Sequence, residues 1–127
     1  MAVTYTLVER QNPQNREAPK KYYAQAKSSG ELTIENLSEE IAQRSTTVSD
    51  TDVLAVLNDL NKLLNRHLSD GRIVRFGNFG SFQISLSSEG AESEEKFNPS
   101  LIKRAKINFR PGSKTRDMLK TLKYAKV

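Results

Sequence analysis

The sequence predicts an α+β fold in which two helices precede an antiparallel sheet with a long two-stranded arm and a short basic helix. Apolar residues recur with helical spacing between residues 33 and 70. They alternate with polar residues in segments 71–86 and 103–110, which is the spacing of strands. The polar segment between these two has no apolar period of its own, as is typical of a hairpin tip.

Residues 1–30 are predicted to form a β extension of two short strands and a linker. Apolar and polar residues alternate from Val3, the turn-rich QNPQNREAP follows, and the next run carries Tyr22 and Tyr23. Two strands alone are marginally stable, so we expect the extension to pack on the main domain, residues 31–127. The tyrosines could stack on bases, but strand aromatics more often pack, and packing is the expectation.

The first helix is predicted to begin after Thr33, which can cap its N-terminus. Ile34, Leu37 and Ile41 form its apolar stripe, and residues 45–47 end it.

A second, longer helix is predicted to begin after Ser49, since Asp52 three residues on resembles a capping box. Asp70 and Gly71 end it. One short first helix can cover only part of its apolar stripe, so the sheet and a second copy of the chain are expected to cover the remainder. The stripe comprises Val53, Val56, Leu57, Leu60, Leu63, Leu64 and Leu68.

The strands that follow have two chemically different faces. A turn is expected between Gly77 and Ser81, because Gly and Asn tolerate positive φ. The apolar face carries Val74, Phe76, Phe82, Ile84 and Leu86, then Ala105, Ile107 and Phe109. In the last strand these alternate with Arg104, Lys106, Asn108 and Arg110, so its other face is largely cationic.

The net charge of +5 is unevenly distributed. Residues 98–127 hold nine Lys or Arg and a single acid, Asp117. This asymmetry is typical of a polyanion binder, although a solvated basic tail gives the same pattern, and charge alone leaves both open.

Catalytic and metal-binding patterns are weak. The chain has no Cys, its single histidine, His67, has no adjacent ligand partner, and no phosphate-loop pattern occurs. We therefore expect no enzyme activity, catalytic residue, metal, cofactor or small-molecule substrate. No apolar run is long enough to span a membrane and no secretory signal is evident, so a cytoplasmic protein without a membrane partner is expected.

Two short motifs and their order carry a resemblance to a known family. Phe79-Gly80-Ser81-Phe82 is followed by a long hairpin and then by Phe109-Arg110-Pro111-Gly112-Ser113-Lys114, which leads into a basic helix. Over roughly residues 33–122 the chain resembles the bacterial HU and integration-host-factor family of histone-like DNA-binding proteins. Residues 1–30 look like the extension of longer HU-like proteins.

The resemblance implies a homodimer that binds double-stranded DNA without sequence preference. Its β-arms, here about residues 86–106, would lie in the minor groove and give an architectural role in the nucleoid. The implied DNA contacts are Lys103, Arg104, Lys106 and Arg110 on the returning strand, Lys114 and Arg116 beyond the turn, the more distant Lys120, and Pro99. The implied dimer core is Leu57, Leu60, Leu64, Phe76, Phe79 and Phe82.

The predicted arm departs from the family at its end. In HU-like proteins a proline at the tip wedges between bases, and Asn98-Pro99 matches that dipeptide. The midpoint between Phe82 and Phe109 falls near Glu95, which predicts that Pro99 lies on the returning strand. The outgoing half is acidic where the family is basic, so sharp bending by Pro99 is not expected.

Two other functions remain open at this level. A winged helix-turn-helix regulator would use the second helix to read bases, but that helix begins with Asp50, Thr51 and Asp52, and carboxylates repel phosphate. A protein-interaction module with an incidental basic tail is the other alternative.

Overall fold

The computed structural model describes residues 1–45 and 47–127, which separate into two compact units. One unit, the arm unit, is residues 34–117. The other, the hairpin unit, joins residues 1–33 to residues 118–127.

The arm unit begins with the two predicted helices, α1 (Ile34–Arg44) and α2 (Asp50–Ser69). The predicted cap of α2 is confirmed, because Ser49 Oγ accepts a hydrogen bond of 3.1 Å from the Asp52 amide. α1 ends at Arg44, immediately before the predicted stop at residues 45–47, of which Thr46 lies outside the described residues.

The sheet of the arm unit has the order β3–β4–β5 and is antiparallel throughout. Its strands are β3 (Val74–Phe76), β4 (Gly80–Ser88) and β5 (Ile102–Pro111), followed by helix α3 (Ser113–Lys120). The turn from β3 to β4 falls at the predicted residues and is closed by a hydrogen bond of 2.9 Å from the Phe79 amide to the Phe76 carbonyl. The alternation of apolar and polar residues therefore predicted these strands correctly.

The prediction that Pro99 lies on the returning strand is wrong. Strand pairing ends at Ser88 and Ile102, and the tip between them contains two 3₁₀ turns, Glu94–Lys96 and Pro99–Leu101. Asn98 caps the second turn, since its Oδ1 accepts a hydrogen bond of 2.9 Å from the Ser100 amide. Proline has no amide hydrogen for a ladder and its fixed φ suits the first position of a helical turn, so Pro99 belongs to the tip.

The arm unit buries few apolar side chains. Among the described residues, only Val53 and Leu68 of the hydrophobic residues are buried, at 8% and 6% relative exposure. Leu57, Leu60, Leu64, Phe76 and Phe82 are half-buried, whereas Phe79 is 54% exposed. Phe109 joins the phenylalanine cluster, with its ring centroid 5.0 Å from that of Phe82 and 5.2 Å from that of Phe79.

The hairpin unit contains a second three-stranded sheet, in the order β2–β1–β6. β1 (Val3–Arg10) and β2 (Lys21–Lys27) are the two predicted strands, and they pair in antiparallel fashion. β6 (Tyr124–Lys126), which the sequence did not predict, pairs with β1 in parallel. Tyr22 and Tyr23 are exposed, so the expectation that they pack is wrong for this chain taken by itself.

Candidate nucleic-acid interface

The β4–β5 hairpin has one apolar and one cationic face, fixed by its register. Phe82 lies opposite Phe109 and Ile84 opposite Ile107, which puts these side chains on the apolar face. On the other face each cation of β5 lies opposite a serine of β4. The pairs are Arg110 with Ser81, Lys106 with Ser85, and Arg104 with Ser87. We call this the cationic face.

The cations of this face are available to a ligand. Arg104, Lys106 and Arg110 are all exposed, and within the described residues none forms an ion pair. The opposing serines are short and neutral, so they leave the guanidinium and ammonium groups unneutralised. A face of this kind can hold several phosphates and donate hydrogen bonds to groove edges.

Lys103 lies at a β-bulge beside the cationic face. The register shifts between Ser87 and Ser88, so Lys103 has no partner residue in the ladder. Its ammonium group lies 3.3 Å from the Ser100 carbonyl oxygen and 4.0 Å from a carboxylate oxygen of Glu89. Lys103, the first of the four predicted DNA-contacting cations of the returning strand, thus interacts with the tip of its own arm.

Three arginines surround a depression at the base of the arm. It has a volume of about 430 Å³ and is lined by Arg75, Arg110 and Arg116, together with the β3–β4 turn and the beginning of α3. The amide ends of a helix carry partial positive charge, which adds to the three guanidinium groups. Lys114 and Lys120 are exposed on α3 and do not line the depression.

Two glycines of the recognised motifs allow this depression to form. The Phe79 carbonyl accepts hydrogen bonds from the Gly112 amide at 2.8 Å and from Thr115 Oγ1 at 2.7 Å, which join the turn to α3. A β-carbon at Gly112 would overlap the carbonyl oxygen of Asn78. One at Gly80, where φ is +153°, would overlap the Arg110 carbonyl. Only glycine permits these approaches, and they hold Arg110 and Arg116 at one site.

Sequence reasoning missed Arg75 as a site residue. Arg75 lies between Val74 and Phe76 and opposite Ser81, so it belongs to the cationic face of the same sheet. The alternation that puts Val74 and Phe76 on the apolar face also puts Arg75 on the opposite face, and this signal could have identified it.

The tip of the arm is acidic and partly neutralised internally. Lys96 Nζ lies 2.8 Å from a carboxylate oxygen of Glu92, and Lys103 approaches Glu89. Glu94 and Glu95 form no ion pair within residues 1–45 and 47–127. Phe97 and Pro99 are exposed beside them, so the tip presents apolar side chains as well as carboxylates.

Other kinds of site have less support in the described part of the chain. Residues 1–45 and 47–127 contain no cluster of His, Asp or Glu able to hold a metal ion. Across the same ranges, no helix combines the length and apolar character needed to cross a membrane.

Comparisons with known proteins agree with the fold. Residues 1–126 match the model of the HU-HIG family, described as an HU domain fused to a winged helix-turn-helix, Ig or glycine-rich motif. A comparison with curated protein sequences gave no match.

Two solved structures are similar. One is a candidate bacterial DNA-binding protein from Bacteroides vulgatus, with a TM-score of 0.66 and 10% identity, and the similarity covers 99% of this chain and 48% of that one. The chain thus spans about half the length of the Bacteroides protein. The other is HU from Anabaena in a cocrystal with DNA, with a TM-score of 0.54, 21% identity, and 71% of this chain and 99% of that chain covered. At such low identity, these likenesses establish the fold alone.

Proposed function

Because the chain belongs to the HU-HIG family, whose members carry an HU domain, we propose that it binds double-stranded DNA through the cationic face of its arm. The observation that carries the proposal is the set of three unpaired cations on one strand face, Arg104, Lys106 and Arg110, each opposite a serine. The resemblance to HU inferred from the sequence is confirmed by the family match.

The dimensions of the arm suit the minor groove. Two paired strands lie about 4.8 Å apart. The minor groove is about 6 Å wide and admits a two-stranded ribbon when it is widened by bending. At about 3.3 Å per residue, Arg104 and Lys106 are about 6.6 Å apart along β5 and Lys106 and Arg110 about 13 Å apart, so the three cations can reach different backbone groups of the DNA. The depression with Arg75 and Arg116 is suited to phosphates that flank the arm.

Binding of this type carries little sequence information. The minor groove presents nearly the same acceptors for A·T and T·A pairs. Contacts to phosphates carry no sequence information directly. Arginine, lysine and serine on the cationic face donate to such acceptors without distinguishing them. We therefore infer an architectural role in the nucleoid of a bacterial cytoplasm, with no catalytic step and no cofactor.

We also propose that the protein acts as a homodimer. Its accessible surface is 11022 Å², whereas a folded monomer of this mass exposes roughly 6,800 Å². A stable interface removes only about 800 Å² of accessible surface from each partner, so the extra exposed surface of this chain is large enough to form such an interface. Half-buried Leu57, Leu60 and Leu64 and exposed Ile107 and Phe109 are the surfaces that a second copy would cover.

The tip offers two side chains that could wedge between base pairs. Phe97 and Pro99 are exposed and lie beyond the last paired residues of the arm. Apolar wedges of these types unstack one base step and kink the duplex. The neighbouring carboxylates of Glu94 and Glu95 oppose the approach of phosphates, so a wedge here would act at reduced affinity.

No observation in the described residues specifically supports the helix-turn-helix regulator or the protein-interaction module. The first turn of α2 carries Asp50 and Asp52, which would face phosphates in a helix-turn-helix complex. An interaction module would leave the alignment of three cations on one face unexplained.

The proposal is tested by titrating the full chain against two unrelated duplexes of equal length at low salt, with fluorescence anisotropy as the readout. We expect equal affinities for the two sequences, and sedimentation of the free protein as a dimer. Failure to bind either duplex would rule out the proposed function, and a strong preference for one sequence would favour a winged-helix reader.

A further inference from the structure

One cavity of the hairpin unit is lined by none of the residues proposed above to bind duplex DNA. It is an open concavity of about 650 Å³ where β1 and β2 meet their connecting loop, residues 11–20. Arg10, Lys21 and Tyr23 contribute to its wall, with Gln11, Pro13 and Pro19 from the loop side.

Two like charges face each other in this cavity. Arg10 and Lys21 are directly opposite in the antiparallel ladder, so their β-carbons are about 5 Å apart. Like charges in this arrangement destabilise a hairpin. Neither side chain forms an ion pair or hydrogen bond within the described part of the chain. An anion bound between the two would relieve their repulsion and gain charge-assisted hydrogen bonds.

The rim of the cavity is held in place without a ligand. Gln11 Nε2 donates to the Arg16 carbonyl at 2.6 Å and to the Ala18 carbonyl at 3.0 Å, which ties the loop back to the end of β1. Asn12 and Asn15 accept hydrogen bonds from the amides of Gln14 and Glu17. A loop ordered in advance loses little entropy when a ligand enters, which favours binding.

Tyr23 adds an aromatic surface beside the two cations. It lies two residues from Lys21 and therefore on the same face of the sheet, and it is 49% exposed. Cations that hold a phosphate next to an aromatic ring that stacks on a base are the combination found in binders of single strands. Bases inside a duplex cannot reach such a ring, so the ligand must be unpaired.

The charge of the hairpin unit supports an anionic ligand. Residues 1–33 and 118–127 contain eight Lys or Arg and three acids, which gives +5. The arm unit contains twelve of each and is neutral. The net charge of the chain therefore resides in the hairpin unit, and this charge attracts polyanions.

We propose that this cavity binds one nucleotide of an unpaired nucleic-acid strand, with the phosphate between Arg10 and Lys21 and the base on Tyr23. The site is separate from the arm, so the protein would hold duplex with one unit and an unpaired strand with the other. The inference does not require that the arm binds DNA.

The test uses the full chain and a labelled oligothymidylate, followed by anisotropy. The cavity pair is the double variant Arg10→Gln and Lys21→Gln. The control pair is the double variant Lys27→Gln and Lys123→Gln, which removes the same charge from the same unit outside the cavity. We expect the cavity pair to bind more weakly than the control pair, with a log–log salt slope reduced by about 0.7 for one lost phosphate contact. Equal losses of oligothymidylate affinity and of salt slope in the cavity pair and the control pair would overturn the proposal.

A second readout separates binding from structural damage. Since Arg10 and Lys21 repel each other in the free protein, their replacement should leave the Tm unchanged or raise it. Tyr23→Leu should weaken oligothymidylate binding by about 5-fold to about 150-fold, the usual range for a base stacked on an aromatic ring. An unaltered affinity after Tyr23→Leu would contradict the stacking role.

Intrinsic fluorescence distinguishes this site from the arm. The chain has no Trp, and its four tyrosines, Tyr5, Tyr22, Tyr23 and Tyr124, all belong to the hairpin unit. After correction for absorbance, we expect oligothymidylate to quench tyrosine emission and blunt duplex to leave it nearly unchanged. Equal quenching by both would exclude the preference for unpaired strands, whereas failure of duplex to bind at all would concern only the arm.

Discussion

Neutralising the cationic face should flatten the salt dependence of duplex binding. The change is Arg104→Gln, Lys106→Gln and Arg110→Gln in one protein. All three side chains are exposed and unpaired in the described structure, so their loss should leave the fold intact.

The magnitude follows from the number of phosphate contacts. Three contacts per protomer, at about 0.9 each, give a slope change of about 2.7 in the plot of log affinity against log salt. The ratio of wild-type to variant affinity should therefore shrink roughly 40-fold per bound protomer when salt is raised from about 50 to about 200 mM. Anisotropy titrations at four or more salt concentrations measure both slopes.

A matched control removes the same charge from the helices of the same unit, through Arg44→Gln, Lys62→Gln and Arg66→Gln. These residues lie on α1 and α2, away from the sheet register that defines the cationic face. We expect the control to retain most of the wild-type slope. If the two triple variants lose slope equally, net charge alone accounts for binding and the assignment to the cationic face is refuted.

The remaining predictions concern the base of the arm, its tip and the dimer. Gly112→Ala should lower the Tm and weaken duplex binding, because the new methyl group overlaps a backbone carbonyl, whereas Gly90→Ala, which meets no atom within 4 Å, should do neither. Phe97→Ala or Pro99→Ala should reduce DNA bending, measured by energy transfer between duplex ends, by more than it reduces affinity; unchanged bending in both would exclude a wedge at the tip. Leu60→Asp should convert the dimer to monomer in sedimentation by burying an unpaired carboxylate, and a wild-type chain that is already monomeric at micromolar concentration would contradict the dimer.

Local patterns in the sequence were enough to predict most of the arm unit. The N-cap at Ser49 and the alternation through Phe82 and Ile107 depend on neighbouring residues, and each was found in the structure. The cationic face followed from the same alternation, since side chains two apart in a strand share a face.

Features that depend on distant or irregular contacts were not predictable in this way. Strand β6 has three residues, too few for a visible period, and it forms only because β1, more than a hundred residues earlier, offers an open edge. The β-bulge that leaves Lys103 without a partner in the ladder could not be predicted from the residue pattern. The predicted position of Pro99 was wrong because the midpoint of a hairpin does not determine where the pairing of its strands ends.

Site-specific cross-linking tests most directly which face of the arm meets DNA. The chain has no Cys, so a single cysteine can carry a photoactivated cross-linker at a chosen position. Ser87 lies opposite Arg104 on the cationic face, and its neighbour Leu86 lies opposite Ala105 on the apolar face. We expect Ser87→Cys to cross-link to duplex DNA in high yield and Leu86→Cys to give little DNA product. Equal cross-linking from both positions, or a higher yield from position 86, would contradict binding through the cationic face.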